Sequence, residues 1–169
     1  MATPIAQSRP AEPAPCGPVE GCSSDELASA WTSIVRGYSH VTELLTEQVE
    51  RATGLSAPSF FALVWLLRGS ADAVSLTTLA RHVAFSSGGF TKLADRLEQA
   101  GLIERQPSPS DRRVTNAVLT PLGRAKAERA FAVYCTGLRE LVLQRLGLDG
   151  LHVLADHMSR LSGDLTPGD

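Results

Sequence analysis

Residues 86 to 101, SSGGFTKLADRLEQAG, decide the fold of this chain. Apolar residues recur there at the spacing i, i+3, i+4 and i+7, which is typical of a helix with one buried side. These residues are Phe90, Leu93, Ala94 and Leu97. Ser86 is the predicted N-cap and Gly101 the predicted terminator, so the helix should span about four turns. Its other side is small, polar or basic and can approach a negatively charged partner.

The segments around this helix predict a helix-turn-helix followed by a β hairpin. Upstream, Ser75 is a favourable N-cap for a short helix with an apolar stripe of Leu76, Leu79, Ala80 and Val83. Downstream, residues 102–106 and 114–119 are β-prone runs, and a stiff, basic loop joins them. Val74 is positioned to add a short third strand. This order of elements predicts a winged helix.

The predicted fold class is mainly α with a small β hairpin. We expect a winged helix-turn-helix core at 56–119 with a surface suited to DNA, flanked by N- and C-terminal helices at 23–54 and 120–164. Residues 1–22 are rich in proline and predict a disordered tail, whereas residues 23–169 predict a single domain. The first long helix, about 45 Å at the standard rise, is longer than one small core can cover. We therefore expect part of it to contact another helix or another chain.

The caps of the flanking helices are also readable from the sequence. Ser23 followed by Glu26 is a capping-box pattern, and Thr120 followed by Pro121 is a typical helix start. The helix that begins at Thr120 is predicted to continue to Gly147. A last helix is then capped by Asp149.

Charge is unevenly distributed along the chain. The net charge is -2, but residues 75–126 hold eight basic and four acidic side chains, whereas the first long helix is acidic. A local positive face is sufficient for binding a polyanion, because counterion release acts on the contact surface.

Several classes of function are not supported by the sequence. There is no apolar run long enough for a membrane span and no signal-peptide pattern, so we expect a soluble cytoplasmic protein that does not contact membranes. Three cysteines and four histidines lack metal-ligand spacing, and there is no phosphate-binding glycine loop or nucleophile motif. We therefore expect no catalytic residues, no metal, no cofactor and no enzymatic activity.

Several groups of residues resemble the core signature of MarR-type transcriptional regulators. They are Leu79-Ala80, Leu93, Asp95-Arg96-Leu97-Glu98, Gly101-Leu102-Ile103-Glu104-Arg105, Asp111-Arg112-Arg113, and Leu119-Thr120 with Gly123. The resemblance implies a homodimeric repressor or activator that binds a pseudo-palindromic operator in double-stranded DNA. It also implies that a small ligand or oxidation releases the DNA, and that the first and last two helices of each subunit interleave as the dimer interface.

The DNA-binding candidates lie on the central helix and the wing. For the helix side we expect contacts with bases or phosphates in the major groove, although an ordinary solvated face would look similar. These candidates are Ser86, Ser87, Gly88, Thr91, Lys92 and Arg96, of which Arg96 could instead form an internal ion pair. By resemblance, Arg113 reaches the minor groove while Asp111 orients it, and Arg112 contacts phosphate.

Ligand sensing is the least specified part of the sequence. The family pocket implies a candidate lining of Trp31, Tyr38, Trp65, Arg68 and His82, which would favour an aromatic or phenolic effector. Core packing is the alternative role of these side chains. Another alternative is a thiol switch through Cys22 and Cys135. A third is that the winged helix is a protein interaction module, which a weak salt dependence of DNA binding would reveal.

Overall fold

The computed structural model describes residues 23–69, 73–83, 87–109, 111 and 113–163. The chain divides into two units, Met1–Tyr38 and Ser39–Asp169. The predicted disordered tail of residues 1–22 lies outside the described residues. The elements are α1 (Ser24–Thr53), α2 (Ala57–Arg68), β1 (Val74–Ser75), α3 (Leu76–His82), α4 (Ser87–Gln99), β2 (Ile103–Pro107), β3 (Thr115–Leu119), α5 (Pro121–Leu138), a π-helical segment (Arg139–Leu143) and α6 (Gln144–Gly163).

The first unit contains the beginning of α1, and the predicted capping box forms there. The Ser23 N–H and hydroxyl both donate to Glu26 Oε2 at 2.9 Å, and the Glu26 N–H donates back to Ser23 Oγ at 3.2 Å. Because these bonds favour the carboxylate, the backbone N–H first and the hydroxyl second, they lower the pKa of Glu26 below its ordinary value. The capping box fixes where α1 begins.

Large apolar side chains follow the cap along the first unit's part of α1. Each of them exposes between 44% and 69% of its surface: Leu27, Trp31, Ile34, Val35 and Tyr38. The spacing of this stripe is the one that normally packs against a partner.

The second unit has a hydrophobic core made mainly by α2, α3, α4 and the sheet. Phe60, Leu63, Leu79 and Phe90 are each at most 2% exposed. The rings of Phe60 and Tyr134 pack with centroids 5.0 Å apart, which joins α2 to α5. The predicted apolar side of α4 is confirmed, because all four of its apolar residues are buried.

The wing is a three-stranded antiparallel sheet in the order β1-β3-β2. Ile103 pairs with Leu119 and Pro107 with Thr115 across the hairpin, while Val74 pairs with Ala117 on the other side of β3. The predicted third strand at Val74 is therefore confirmed. Pairing at Ile103 and Leu119 brings the start of β2 next to the end of β3, directly beside α5.

The helix after Thr120 differs from the sequence prediction, which carried it unbroken to Gly147. α5 ends at Leu138 and is followed by the π-helical segment, whose wider turns shift the carbonyl groups. Arg145 Nη1 donates to the carbonyls of Glu140 and Leu141, at 3.1 and 2.9 Å. The predicted break at Gly147 is confirmed by its non-helical backbone, with φ at 67°.

No helix within the described stretches of the chain has the length and apolarity needed to cross a membrane.

Candidate nucleic-acid interface

The helix-turn-helix is formed by α3 and α4. The N-cap of α3 is Ser75, whose hydroxyl accepts from the Thr78 N–H at 3.1 Å, as predicted. Leu79 and Ala80 of α3 are buried against the core and so hold α3 behind α4. Residues 84–86 of the connecting turn lie outside the described residues.

α4 presents a polar side opposite its buried one. Thr91, Lys92, Arg96 and Gln99 are all exposed there. Since Phe90 and Leu93 anchor the helix in the core, these polar side chains are held outward on a fixed support. A helix with this exposed surface has the size and the polarity that suit a major groove.

The C-terminal end of α4 has the geometry of a Schellman motif. Gly101 has a φ of +68°, its N–H donates to the Glu98 carbonyl at 2.8 Å, and the Leu102 N–H donates to the Leu97 carbonyl at 2.9 Å. Leu97 and Leu102 are both buried, which completes the motif with an apolar contact. The predicted terminator is therefore confirmed.

A cluster formed by Arg105, Asp95 and Glu98 fixes α4 to the wing, and we call it the α4–β2 clip. Arg105 Nη2 lies 2.6 Å from Asp95 Oδ1 and 3.4 Å from the Thr91 carbonyl. The Arg105 N–H also donates to Glu98 Oε1 at 3.2 Å. Arg105 Nε is 3.5 Å from Glu98 Oε2, which is ion-pair distance without hydrogen-bond geometry.

The α4–β2 clip is not predicted from the sequence, where Arg105 is one of the basic residues of residues 75–126 and part of the family signature. The side chain of Arg105 is 25% exposed and is engaged by two carboxylates. Its charge is therefore largely committed within the protein. The positive charge offered to a partner comes from other side chains, such as Lys92 and Arg96.

The tip of the wing is shaped by Asp111. Its side-chain Oδ1 accepts from the Arg113 N–H at 2.9 Å, and its carbonyl accepts from the Val114 N–H at 2.9 Å. The Ser108 N–H donates to the Val114 carbonyl at 2.8 Å and closes the loop. This is an Asx-type turn, and the side chain of Arg113 is exposed beside it.

The predicted DNA-binding residues fall into three groups. Thr91, Lys92 and Arg96 lie on the exposed side of α4, whereas Asp111 and Arg113 lie at the wing tip. Ser87 and Gly88 belong to the first turn of α4. Ser86 and Arg112 lie outside the described residues.

Three of the predicted pocket residues lie close to one another in the second unit. The rings of Trp65 and His82 stack with centroids 4.3 Å apart, which links α2 to α3. Arg68 Cζ lies 4.8 Å from the centroid of the Phe131 ring on α5. Trp65 and Arg68 are one helical turn apart on α2, so these two contacts lie on neighbouring turns.

The other predicted pocket and redox residues lie in the first unit, on α5 or outside the described residues. Trp31 and Tyr38 are exposed residues of the first unit, at 51% and 69%. Cys135 is a half-buried free thiol on α5, and Cys22 lies outside the described residues.

Comparison with known proteins places these features in one family. The sequence profile of the MarR family matches residues 55–115. The HTH-type transcriptional regulator MhqR of Bacillus subtilis is 30% identical over 107 residues, which is 63% of this chain and 72% of MhqR. The HTH-type transcriptional repressor IacR of Pseudomonas putida is 29% identical over 124 residues, 69% of this chain and 71% of IacR.

A solved structure has the same fold. It is the MarR family transcriptional regulator Sco3205 from Streptomyces coelicolor in complex with DNA, with a TM-score of 0.77 and 23% identity over 90% of this chain and 95% of that one. A helix-turn-helix with an attached three-stranded wing is a winged helix-turn-helix fold, and the matched relatives with this fold are transcriptional regulators. The chain belongs to the MarR family of transcriptional regulators.

Proposed function

We propose that the protein is a homodimeric repressor that binds a pseudo-palindromic operator and is released by a small aromatic ligand. It acts by binding DNA and catalyses no reaction, and since its target is DNA we place it in the cytoplasm. One observation carries the proposal: α4 buries its entire apolar side and exposes Thr91, Lys92 and Arg96. These side chains lie outside the core and can contact a partner, and Lys92 and Arg96 give this side of α4 a positive charge.

Major-groove reading is assigned to α4. Lys92 can donate to guanine O6 and N7, and Thr91 can contact either a base edge or a thymine methyl group. Ser86, Ser87 and Gly88 at the start of the helix are assigned to nearby phosphates and bases. Arg96, further along the same side, is assigned to a phosphate, because it is exposed and the neighbouring carboxylate of Asp95 is held by Arg105.

Minor-groove contact is assigned to the wing tip. Arg113 is exposed at the end of the hairpin, and the turn built by Asp111 presents it. A guanidinium group suits a narrow minor groove, where the negative potential is strongest. Arg112 is assigned to the adjoining phosphate.

Dimerisation is assigned to helices 23–54 and 120–164, on either side of the core at 56–119. Apolar side chains of the first unit's α1 expose up to 69% of their surface. Within the second unit, Leu148, Val153 and Leu154 of α6 are similarly exposed, at 42% to 58%. A second copy of the chain would cover such surfaces, and two-fold symmetry would place two α4 helices about one DNA turn apart.

The effector site is assigned to the region of Trp65, Arg68 and His82 in the second unit. Trp31 and Tyr38 of the first unit are candidates from the family resemblance alone. One aromatic stack and one cation–π contact lie on neighbouring turns of α2, and this chemistry suits an aromatic ring with a phenolic or weakly acidic substituent. Binding there would shift the equilibrium away from the DNA-binding arrangement. The repressor direction is supported by the name of the relative IacR.

DNA binding is tested by selecting duplexes from a random pool with the wild-type protein. We expect a palindromic site, bound with an affinity that falls steeply with salt. Lys92→Gln should weaken binding about tenfold and relax base preference at one position of each half-site, as expected for a direct base contact. Arg113→Ala should lose the preference at flanking A·T steps. Arg129→Gln, an equal charge change on the exposed side of α5, is the control and should bind like the wild type.

The result that would overturn this assignment is equally specific. If no duplex is enriched and the affinity for DNA is insensitive to salt, the winged helix does not act on DNA. If Lys92→Gln and Arg129→Gln bind alike, α4 is not the reading element.

Dimerisation is tested by sedimentation equilibrium. Ile34→Glu should shift the protein to the monomer, because it places a charge within the exposed apolar stripe of α1. Arg36→Glu, on the exposed surface of the same stretch, should remain dimeric. A wild-type protein that sediments as a monomer at micromolar concentration would contradict the proposal.

Effector binding is tested by fluorescence. The chain has two tryptophans, so a Trp31→Phe variant reports on Trp65 alone. Phenols and hydroxybenzoates should quench Trp65 in a saturable way and raise the melting temperature. The same ligands should release the selected duplex. If quenching, stabilisation and release are all lacking across the panel, the effector site is not at Trp65.

A further inference from the structure

The end of α4 is bonded directly to the start of α5. The Thr120 hydroxyl donates to the Gly101 carbonyl at 2.6 Å and accepts from the Gly123 N–H at 2.9 Å. The Thr120 N–H donates to the Leu102 carbonyl at 3.2 Å. We call this set of four residues the α4–α5 junction. Thr120 therefore caps one helix and holds the last turn of another.

At the α4–α5 junction, no side chain separates the backbone of Gly123 from the backbone of Leu102. A Cβ atom added at Gly123 would collide with the carbonyl group of Leu102, so the first turn of α5 packs directly against the backbone of Leu102. Gly101 accepts the Thr120 bond while its own backbone is in the left-handed region, at φ +68°. Two helices are thus joined by short, directional bonds between groups with little freedom to move.

Apart from the Arg68 guanidinium group over the Phe131 ring, the described contacts that fix α5 to the core are mainly apolar. Ala127 and Ala130 of α5 are fully buried, and Tyr134 packs on Phe60. Apolar contacts hold surfaces together but specify an angle weakly, because they tolerate small sliding movements. A hydrogen bond is directional and weakens steeply when its angle changes. The hydroxyl bond of Thr120 is therefore suited to fix the angle between α4 and α5.

A small change in the angle between α4 and α5 would move α4 by a distance comparable to the rise of one base pair. α4 has 13 residues, which at about 1.5 Å per residue is about 20 Å. A rotation of about 10° at the junction moves the far end of α4 by about 3.5 Å, close to the rise of one base pair. The position of α4 relative to α5 therefore determines which base pair it reaches.

We propose that Thr120 is a positioning residue that sets the half-site spacing accepted by the dimer. This inference rests on the proposed function, in which α5 belongs to the dimer interface and α4 enters the major groove. With α5 fixed by symmetry, the bond from Thr120 to Gly101 fixes the separation of the two α4 helices. The residue selects operators by geometry without touching a base.

Two variants separate this role from helix capping. Thr120→Ser keeps a hydroxyl that can both accept from Gly123 and donate to Gly101. Thr120→Asp keeps the acceptor, since aspartate is a good N-cap, but a carboxylate cannot donate to the Gly101 carbonyl. The cap of α5 is thus preserved in both variants, and the hydrogen bond that differs between them is the one from the side chain of residue 120 to the Gly101 carbonyl.

The experiment measures binding to the selected palindrome and to duplexes whose half-sites are one or two base pairs closer or further apart. The wild type and Thr120→Ser should prefer the selected spacing at least tenfold over a change of one base pair. For Thr120→Asp the preference should fall to about threefold or less. The added negative charge lowers affinity for every duplex alike, so it cancels in the ratio. A merely structural role would lower stability but leave this ratio unchanged.

Each result decides the inference. If Thr120→Asp keeps the tenfold preference, or if the wild-type dimer binds all spacings equally, the inference is wrong while the proposed function stands. If the wild type does not bind duplex DNA as a dimer, the proposed function itself fails. Should Thr120→Asp not fold, the same ratio of affinities is measured for Thr120→Val, which loses both hydroxyl bonds without adding charge.

Discussion

The guanidinium group of Arg105 holds the carboxylate of Asp95 at 2.6 Å, and this ion pair joins the second strand of the wing to the side of α4. An acidic residue on a helix that approaches DNA would ordinarily repel phosphates. Here the carboxylate is compensated inside the protein, together with that of Glu98. The effect of removing Asp95 therefore depends on whether its charge or its contact dominates.

We expect Asp95→Asn to weaken DNA binding about three- to tenfold, although it removes a negative charge from α4. The variant removes the negative charge from the shortest contact of the α4–β2 clip and leaves only a weaker, neutral acceptor for Arg105, so α4 and the wing are less well aligned for the two grooves. Glu104→Gln is the matched control, since it removes the same charge from the residue next to Arg105 in β2, and it should bind at least as tightly as the wild type. Fluorescence anisotropy with the selected duplex measures both.

A double-mutant cycle with Arg105→Gln completes this test. The coupling free energy of the two substitutions, measured in DNA binding, should be about 1 kcal/mol, as is usual for a partly exposed ion pair. The salt dependence of binding should stay unchanged in Arg105→Gln, because Arg105 contacts carboxylates rather than phosphates. An Asp95→Asn variant that binds as tightly as Glu104→Gln would show that the clip does not position α4.

The turn at Asp111 gives a second prediction. Its carboxylate accepts from the Arg113 N–H, a role that the asparagine side-chain oxygen can also fill. Asp111→Asn should therefore bind DNA within about twofold of the wild type, whereas Asp111→Ala should bind about five- to tenfold more weakly. If Asn and Ala are equally weak, the negative charge and not the turn is what Asp111 supplies.

The close approach at Gly123 gives a third prediction, on stability. Gly123→Ala should lower the free energy of unfolding by about 3 kcal/mol, because the new methyl group collides with the Leu102 carbonyl. Gly37→Ala is the control. It lies within α1 with no other atom near its Cβ position, so it should raise stability by about 0.5 to 1 kcal/mol. Urea unfolding of both variants compares them, and equal effects would contradict the prediction.

The capping box of α1 gives a prediction about pH. The pKa of Glu26 is lowered in the folded protein, so its contribution to stability is present above its unfolded value and is lost as the pH falls through the folded value. An NMR titration should find the pKa of Glu26 below that of an ordinary glutamate, and Ser23→Ala should raise it. Because Ser23→Ala keeps the backbone N–H bond, which is the larger cause, the rise should be partial, and an unchanged pKa would show that the Ser23 hydroxyl does not contribute.

Local features of this fold could be predicted well from the sequence. The caps at Ser23, Ser75 and Thr120 depend on residues within three positions of each other, and all three form the expected hydrogen bonds. The buried side of α4 follows from a spacing that repeats with every helical turn. Such features are predictable because the chemistry that decides them is contained in one short segment.

Contacts between distant segments could not be predicted in the same way. Arg105 reaches Asp95 only because the turn at Gly101 folds β2 back along α4, and Thr120 reaches Gly101 only because the hairpin closes beside α5. The π-helical segment Arg139–Leu143 was also missed, since an apolar stripe barely changes when one turn widens. The assignment of individual residues to DNA remains a prediction, because it concerns a partner and not the chain's own packing.

The order of the strands in the wing also bears on how the protein behaves at high concentration. In the order β1-β3-β2, one outer strand is only the two residues Val74–Ser75, and the other ends in Pro107, which has no N–H to donate. Long, flat edge strands can pair with the edge strands of other chains and so lead to fibrous aggregates. With a very short strand on one side and a proline-terminated, charged strand on the other, this sheet offers a poor template for such growth.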